Sequence, residues 1–285
     1  MKKRVVTDSM IGMEMPNIDA WSARVTVVLG QNPGMFTGPG TNTYLVGTGI
    51  RPILVDTGQG MGGYMPLLRQ AMDDRRAEGL QEIVLTHAHP DHIGGIADVQ
   101  REYGPLPISK KPWPELDGDI DVTVIYDEDV IATDGASLQA IWTPGHAQDH
   151  LCFYIPEDRA LITGDVVLGA GTTVIPADGD LGDYIQSLHR LLNYDAEALY
   201  PAHGPCIRNP RKKIEEYLAH RALREEQIVD GLQSGIEEIP ALVKRIYSDV
   251  PEFLHGAAAM SVDAHLRKLL REERVARQDD RWFLN

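Results

Sequence analysis

Short apolar runs alternate with polar turns and amphipathic stretches over residues 24–200, and they fall into two similar series. The first series predicts helices over 65–76 and 93–103 and strands at 24–29, 43–46, 52–55 and 81–85. The second predicts a helix over 181–192 and strands at 122–125, 137–142, 151–155, 160–163 and 198–200. Strands with intervening helices in two similar halves predict an α/β fold in which two β-sheets pack together with helices outside.

The pattern becomes helical after residue 209. Helical spacing predicts three helices, over 214–232, 239–247 and 260–274. Two short apolar stretches then flank a turn at Asp279 and Asp280, which predicts a winged-helix-like module ending in a small hairpin. We therefore divide the chain into a large domain, residues 1–209, and a helical C-terminal domain, residues 210–285. The two aspartates favour packing or homodimer formation over nucleic-acid binding as the role of this module.

The composition is that of an ordinary globular protein. The chain has 285 residues, of which 43% are hydrophobic and 24% charged, and no apolar run reaches the roughly 18 residues of a membrane helix. Its basic first residues precede a segment too polar for the apolar core of a signal peptide. Two cysteines, Cys152 and Cys206, provide no disulfide framework and fit a reducing compartment. We expect a cytoplasmic protein without a membrane partner.

The formal net charge of -15 bears on the choice of partner. Such a charge repels a phosphate polymer unless basic residues are gathered in one place. Two groups do gather, namely Arg208, Arg211, Lys212 and Lys213, and Arg267, Lys268, Arg271 and Arg274. Solvated helix faces with salt bridges to nearby glutamates explain both groups more simply, so nucleic acid is a disfavoured partner.

Four potential metal ligands lie within six positions, directly after the apolar run 83–85. They are His87, His89, Asp91 and His92. On an extended or tightly turned loop, residues two apart project to the same side, so His87 and His89 can reach one cation. Asp91 and His92 follow the turn-forming Pro90 and can serve a second cation. Three histidines and an aspartate at this spacing favour a metal site over ordinary hydrogen-bonded loop residues.

Three further donors each follow their own apolar run and stand beside a glycine: His146, Asp165 and His203. Each alone is a weak signal, because Gly-His and Gly-Asp pairs are common in turns. Together with the first cluster they make seven donors, too many for one tetrahedral ion and sufficient for two. Nitrogen and carboxylate ligands without thiolate suit zinc, and manganese or iron to a lesser degree. Because a carboxylate at Asp165 can bridge both ions, we expect two Zn²⁺ ions per chain.

The motif Thr-His-x-His-x-Asp-His at 86–92, with the later glycine-flanked donors, resembles the metallo-β-lactamase superfamily. This resemblance implies an αββα sandwich of two mixed β-sheets flanked by helices. It implies one zinc ion held by His87, His89 and His146. It implies a second ion held by Asp91, His92 and His203, with Asp165 bridging the two. The motifs are specific for fold and metal site and much less specific for substrate.

Further stretches resemble the lactamase-beta-like branch, which includes mitochondrial single-strand endoribonucleases and thioesterases that release polyketides from acyl carrier proteins. They are the winged-helix tail and residues 32–34, 40–47, 56–58, 143–150 and 168–173, so that the resemblance covers nearly the whole chain. True β-lactamases match less well. Their subclass with a cysteine ligand would need Cys where Asp165 stands, and these enzymes are exported.

The function predicted from these features is that of a binuclear zinc-dependent hydrolase. A metal-bridging hydroxide is expected to attack the carbonyl of a thioester or ester, in a small molecule or on an acyl carrier. Asp91 and Asp165 are the candidate catalytic residues, and Asp91 is expected to hold the nucleophile or accept its proton. The alternatives are a single-strand-specific endoribonuclease, which is a phosphodiesterase, and weak β-lactam hydrolysis. A basic cleft would favour RNA, and a deep apolar pocket would favour acyl groups.

Two residues near these motifs have open roles. Asp56 ends an apolar strand, where it either orients a ligand imidazole or caps a turn. His150 follows the His146 motif, where it either bonds a ligand or lies in the core, and the core is slightly favoured.

Overall fold

A computed structural model describes residue 10 and residues 12–285 and contains two large mixed sheets. The first has seven strands in sequence order: β1 (Ile18–Ala20), β2 (Val25–Leu29), β3 (Asn42–Val46), β4 (Ile53–Val55), β5 (Ile83–Val84), β6 (Ile108–Lys110) and β7 (Thr123–Val124). Strands β1 to β4 pair antiparallel, and β4 to β7 pair parallel. The parallel pairs require crossover connections, which the helices provide.

The second sheet has five strands: β8 (Val130–Thr133), β9 (Ala136–Trp142), β10 (Leu151–Ile155), β11 (Ala160–Gly164) and β12 (Ala198–Pro201). Their spatial order is β12-β11-β10-β9-β8. Strands β8 to β11 are antiparallel neighbours, and β12 pairs parallel to β11.

Helices surround the sheets and form most of the C-terminal part. They are α1 (Tyr64–Asp74), α2 (Pro90–Ile93), α3 (Ile96–Tyr103), α4 (Pro114–Asp117), α5 (Leu181–Leu191), α6 (Pro210–Gln233), α7 (Ile239–Ile246) and α8 (His255–Arg271). A 3₁₀ turn at Glu252–Leu254 precedes α8, and the hairpin of β13 (Val275–Gln278) and β14 (Arg281–Leu284) follows it. Over the described residues, no helix has the length and apolar character needed to cross a bilayer.

The main core lies between the two sheets. Val27, Tyr44 and Val55 of the first sheet pack with Phe153 and Ile162 of the second, and all five are buried. Helices α1 and α3 cover the outer face of the first sheet, while α5 and α6 cover that of the second. Removing these apolar faces from water, at about 25 cal/mol per Å², drives the packing. The layers run helix, sheet, sheet, helix, which confirms the predicted αββα sandwich.

At one edge of the sandwich, backbone hydrogen bonds join the two sheets. Leu151 N donates to Thr86 O at 2.8 Å, and Asn42 N donates to Ala202 O at 2.6 Å. Strands β5, β11 and β12 end at this edge, and β9 turns there into β10. The loops that leave these strands therefore bring distant parts of the sequence into one place on a rigid support.

The segment 122–125 was predicted wrongly as part of the second series. It forms β7, which pairs parallel with β6 at the edge of the first sheet. Strand β6 itself was not predicted, because a buried run of three residues, Ile108–Lys110, is too short to show a period.

The helix predicted over 93–103 is interrupted at Gly94 and Gly95, which separate α2 from α3. The cause is a close approach of two backbones. A Cβ atom on Gly95 would lie 2.1 Å from Thr57 O, in the loop after β4. Only glycine lets the two segments meet at this distance, and the break gives α2 its own direction beside the loop.

Helix α6 packs against both parts of the chain. Ile214 and Tyr217 join the cluster under the second sheet, whereas Ile228 and Leu232 pack with α7, α8 and Trp282 of the final hairpin. The predicted division after residue 209 coincides with the start of this helix. Because the helix contributes to both cores, the division stays a prediction.

Candidate metal centre

The seven predicted donors all lie at the edge where the sheets are joined. His87 and His89 follow β5, and Asp91 and His92 lie in α2. The others follow β9, β11 and β12, in the order His146, Asp165 and His203. In each of two groups, the donor atoms lie within 4.8 Å of one another. The first group is His87, His89, His146 and Asp165, and the second is Asp91, His92 and His203.

In the first group, three imidazole nitrogens converge. His89 Nδ1 lies 2.9 Å from His87 Nε2 and 3.0 Å from His146 Nε2. Asp165 Oδ2 lies 3.3 Å from His146 Nε2. The interval between His87 and His89 matches the prediction that residues two apart reach one point, and β9 adds the third imidazole from the other sheet.

In the second group, His203 Nε2 lies 3.4 Å and His92 Nε2 lies 3.5 Å from Asp91 Oδ2. The other oxygen of Asp165 also faces this group. Its Oδ1 lies 3.2 Å from His203 Nε2 and 3.7 Å from His92 Nε2. The two oxygens of one carboxylate are thus directed at different groups.

The outer nitrogens of the imidazoles are held by the protein. His146 Nδ1 donates to Val174 O at 2.9 Å. His87 Nδ1 lies 3.0 Å from Thr86 Oγ1, whose proton goes to Asp56. These bonds select the tautomer in which Nε2 is unprotonated and directed inward, which is the form that binds cations.

Asp56 holds His92 in the same way. Its Oδ2 accepts from His92 Nδ1 at 2.7 Å and from Thr86 Oγ1 at 2.8 Å, while Oδ1 accepts from Thr86 N at 2.8 Å. Asp56 is fully buried and has a φ of 58°. The carboxylate therefore both orients an imidazole and ties the turn to the next strand, so the two roles left open by the sequence are combined.

The backbone of Asp165 is held by His150, for which the sequence left two roles open, and by Thr173, whose role it did not predict. Asp165 N donates to His150 Nε2 at 3.1 Å, and Thr173 Oγ1 donates to Asp165 O at 2.8 Å. His150 is thus a buried core histidine, as favoured, that also bonds a predicted ligand residue. Thr173 lies in the stretch 168–173 that carries the family resemblance, but its role had no signal, because its contact is with a main-chain carbonyl, which every residue has.

The two groups differ in electrostatic character. Burial lowers the pKa of His89 to about 4, and the pKa values of His87 and His146 are also lowered by burial. Burial has the same effect on His203, but the charge of Asp165 outweighs it and raises the pKa to about 10. His92 behaves similarly, since burial is outweighed by Asp91 and Asp56 and the pKa rises to about 9. A neutral imidazole group thus adjoins a group that favours positive charge.

The side chains present fit cations with a preference for nitrogen and oxygen ligands. In the described part of the chain, His92 Nε2 and Asp165 Oδ1 are buried atoms without a hydrogen-bond partner. Such atoms are costly unless something compensates them, and both face the other donors. Tetrahedral zinc with Zn–N of about 2.0–2.1 Å places its ligand atoms about 3.3 Å apart. The donor spacings of 2.9, 3.0 and 3.3 Å in the first group are close to this.

The pKa shifts predict that the metal-free protein is most stable near pH 6.5. Between pH 6.5 and about 4 the unfolded chain binds a proton at His89 that the folded chain does not, so His89 alone lowers the free energy of unfolding by about 3 kcal/mol, and the other buried histidines act in the same direction. Above pH 6.5 the folded chain keeps protons on His92 and His203 that the unfolded chain releases, so stability falls again towards pH 9 to 10. Urea denaturation of chelator-treated protein measures the profile. A steady rise in stability up to pH 9 would contradict it.

Comparison with known families agrees with this geometry. A family model described as "Metallo-beta-lactamase superfamily" matches residues 36–203, which include all seven donors. The chain belongs to the metallo-β-lactamase superfamily. A second family model, "Beta-lactamase associated winged helix domain", matches residues 239–282 of this superfamily member and confirms the predicted winged-helix module.

Curated relatives of this metallo-β-lactamase superfamily protein include a "Beta-lactamase-like protein 2 homolog" from Caenorhabditis elegans. It is 39% identical over 261 residues, which are 90% of this chain and 87% of the relative. An "Atrochrysone carboxyl ACP thioesterase" from Aspergillus novofumigatus is 39% identical over 222 residues, or 78% of this chain and 66% of the relative. Family membership and the thioesterases among the relatives show that the protein is an enzyme, a hydrolase.

Solved structures show the same fold. A metallo-β-lactamase family protein from Thermus thermophilus superimposes with a TM-score of 0.78 at 23% identity, covering 93% of this chain and all of that one. A protein crystallised in a di-iron-bound form superimposes with a TM-score of 0.52 at 27% identity, covering 63% of this chain and 94% of the other. The fold therefore accommodates a metal centre in a relative.

Proposed function

We propose that this superfamily member is a binuclear zinc-dependent hydrolase of thioesters or esters. In this proposal one ion is held by His87, His89 and His146. The second is held by Asp91, His92 and His203, and Asp165 is shared. The substrate is a small acyl compound or an acyl group on a carrier.

The placement of Asp165 carries the proposal. Its Oδ2 lies 3.3 Å from His146 Nε2, and its Oδ1 lies 3.2 Å from His203 Nε2. A carboxylate that bound a single ion would direct one or both of its oxygens to one group of donors only. A carboxylate between two groups of imidazole and carboxylate donors supports a centre with two ions and an anionic bridge.

Bound divalent cations supply Lewis-acid polarisation of a carbonyl and make water acidic enough to act as a nucleophile near neutral pH. Asp91 and Asp165 have different roles beside these cations. Thr41 Oγ1 donates to Asp91 Oδ2 at 3.1 Å and holds this carboxylate at the rim, where its side chain is 19% exposed. Asp91 is therefore placed to accept the proton of the attacking water and to pass it to solvent. Asp165 is more deeply buried and acts as a ligand.

The charges of the chain support an acyl substrate over RNA. Arg211 and Lys212 form salt bridges with glutamates one helical turn later, and Lys268 and Arg274 both pair with Glu225. Cations paired within the chain attract a phosphate backbone less strongly, and the net charge of -15 repels it. The thioesterases among the relatives point in the same direction.

A parallel assay of zinc-loaded protein tests the substrate class, with acyl-thioesters, carboxylic esters, lactones, a β-lactam and single-stranded RNA as substrates. We expect acyl-thioester hydrolysis to be the fastest reaction and to disappear in His89→Ala, because one ion loses a ligand. His189→Ala is the matched control, since His189 lies exposed on α5. Rapid RNA cleavage without acyl hydrolysis would instead support the endoribonuclease alternative.

We make two further proposals, one on the location of the protein and one on its C-terminal domain. Cys152 is buried and Cys206 is partly buried, and neither forms a disulfide, which supports a cytoplasmic location. We also keep the proposal that the C-terminal domain begins at residue 210 and takes part in a homodimer.

A further inference from the structure

Residues 171–180, here called the linking segment, form the last part of the connection from β11 to α5 and contact the His146 loop twice. Val174 O accepts the hydrogen bond from His146 Nδ1 at 2.9 Å. Asp180 N donates to Gly145 O, in the residue before His146, at 2.7 Å. The linking segment therefore determines both the backbone position of this histidine and the rotation of its ring.

The winged-helix domain holds the linking segment through one arginine. Arg267 in α8 donates from Nη1 to Gly179 O at 2.8 Å and to Ala177 O at 3.2 Å. From Nη2 it donates to Pro176 O at 2.9 Å. Its Nε donates to Asp263 Oδ2 at 2.8 Å, one helical turn earlier, which fixes the plane of the guanidinium group. One side chain thus donates hydrogen bonds to three carbonyls of a single turn. This arrangement requires the several N–H donors of a planar guanidinium group.

Two of the three carbonyls, those of Ala177 and Gly179, depend on Arg267 because the turn supplies few donors of its own. Pro176 has no N–H, and Gly179 N already donates to Pro176 O. Main-chain carbonyls that lose a partner must turn towards water or find another donor. Either change shifts the turn at 176–179, whose first residue is only two residues from Val174.

We propose that Arg267 is a positioning residue of the metal centre, holding the linking segment so that Val174 O orients the His146 imidazole. This inference rests on the proposed ligand role of His146. A bond from the outer nitrogen of a ligand histidine fixes the ring and raises the basicity of the inner nitrogen. In this proposal the winged-helix domain helps to orient a metal ligand, in addition to packing against the rest of the chain.

Other contacts from α6 and α8 are expected to keep the linking segment folded when Arg267 is changed. Arg221 in α6 donates to Thr173 O, and Arg271 pairs with Asp180. Ile175 is also buried in the cluster beneath the second sheet. Loss of Arg267 should therefore loosen the segment around Pro176 without unfolding it.

Full-length Arg267→Met tests the proposal, because methionine keeps an unbranched apolar side chain and removes every donor. The measurements are Zn²⁺ affinity by competition with a chromophoric chelator and the visible spectrum of the Co²⁺-substituted protein. We expect the affinity of one ion to fall about ten-fold or more, with an altered Co²⁺ spectrum, because outer hydrogen-bond partners typically contribute 10- to 100-fold. Arg274→Met is the matched control, since Arg274 pairs with Glu225 and Glu272, away from the linking segment.

The results for three further variants and controls either support or refute the proposal. Arg267→Lys should recover part of the lost affinity, because an ammonium group reaches fewer of the three carbonyls, and it replaces the methionine variant if that does not fold. Wild-type affinity and spectrum in the folded variant, or an equal loss in Arg274→Met, would overturn the inference. His146→Ala is measured alongside. If it keeps two ions, the ligand assignment has failed, whereas a loss there with none in Arg267→Met refutes only the positioning role.

Discussion

Asp165→Asn protein is expected to retain at most one metal ion per chain and to lose about a thousand-fold in hydrolase activity. Asparagine keeps the shape of the side chain but removes its charge and replaces one cation-binding oxygen with an amide nitrogen. Because the two oxygens of Asp165 face different groups, one group then meets an amide nitrogen in place of a carboxylate oxygen. A thousand-fold loss corresponds to about 4 kcal/mol of transition-state stabilisation, the size expected for removal of one Lewis acid.

Metal content after dialysis and steady-state hydrolysis of a thioester measure this loss together. Asp183→Asn provides the control, because Asp183 is an exposed aspartate in the first turn of α5. The proposed bridge would be refuted by two tightly bound ions in Asp165→Asn, whatever its activity.

Asp56→Asn is expected to lower the free energy of unfolding by about 3 kcal/mol. It is also expected to lower the metal affinity of the second donor group about 10- to 100-fold. The carboxylate accepts three hydrogen bonds, one of them from His92 at 2.7 Å. An amide in its place brings a donor towards groups that themselves donate. His92 then loses the partner that fixes its ring, while Thr86 loses one of two bonds.

Asparagine is the informative replacement because Asp56 has a φ of 58°. Asparagine tolerates this left-handed conformation, so the variant changes charge without adding backbone strain, which alanine would add. Asp279→Asn is the matched control, since Asp279 has a φ of 53° and lies exposed in the final hairpin. Urea denaturation and chelator competition measure the two effects. Equal stability of Asp56→Asn and wild type would show that His92 needs no such partner.

The sequence predicted the gathering of the donors because their signals are local. Each donor directly follows an apolar run, so its strand is recognisable without knowledge of the fold. The spacing of His87 and His89 places both on one side of a loop, and a glycine marks the turn at each later donor. The sandwich was predictable for the same reason, since strands buried on both faces read as continuous apolar runs.

Other features depend on contacts between distant segments and left no local signal. Strand β7 pairs with the parallel edge of β6, a partner that lies outside its own stretch of sequence. The break between α2 and α3 follows from the approach of Thr57 to Gly95. Val174 holds His146 through a carbonyl oxygen, which would be the same for any residue at that position.

By itself, the amino-acid sequence determined the family, the layered architecture and which side chains are candidate donors, because apolar periodicity and donor chemistry belong to the residues themselves. Only the tertiary structure decided which oxygen of Asp165 faces each group, which partners hold the outer nitrogens of His92 and His146, and that Arg267 of the winged-helix domain bonds the segment beside His146. Directions and distances between side chains arise when separate strands and helices pack, and they are not properties of any one stretch of chain.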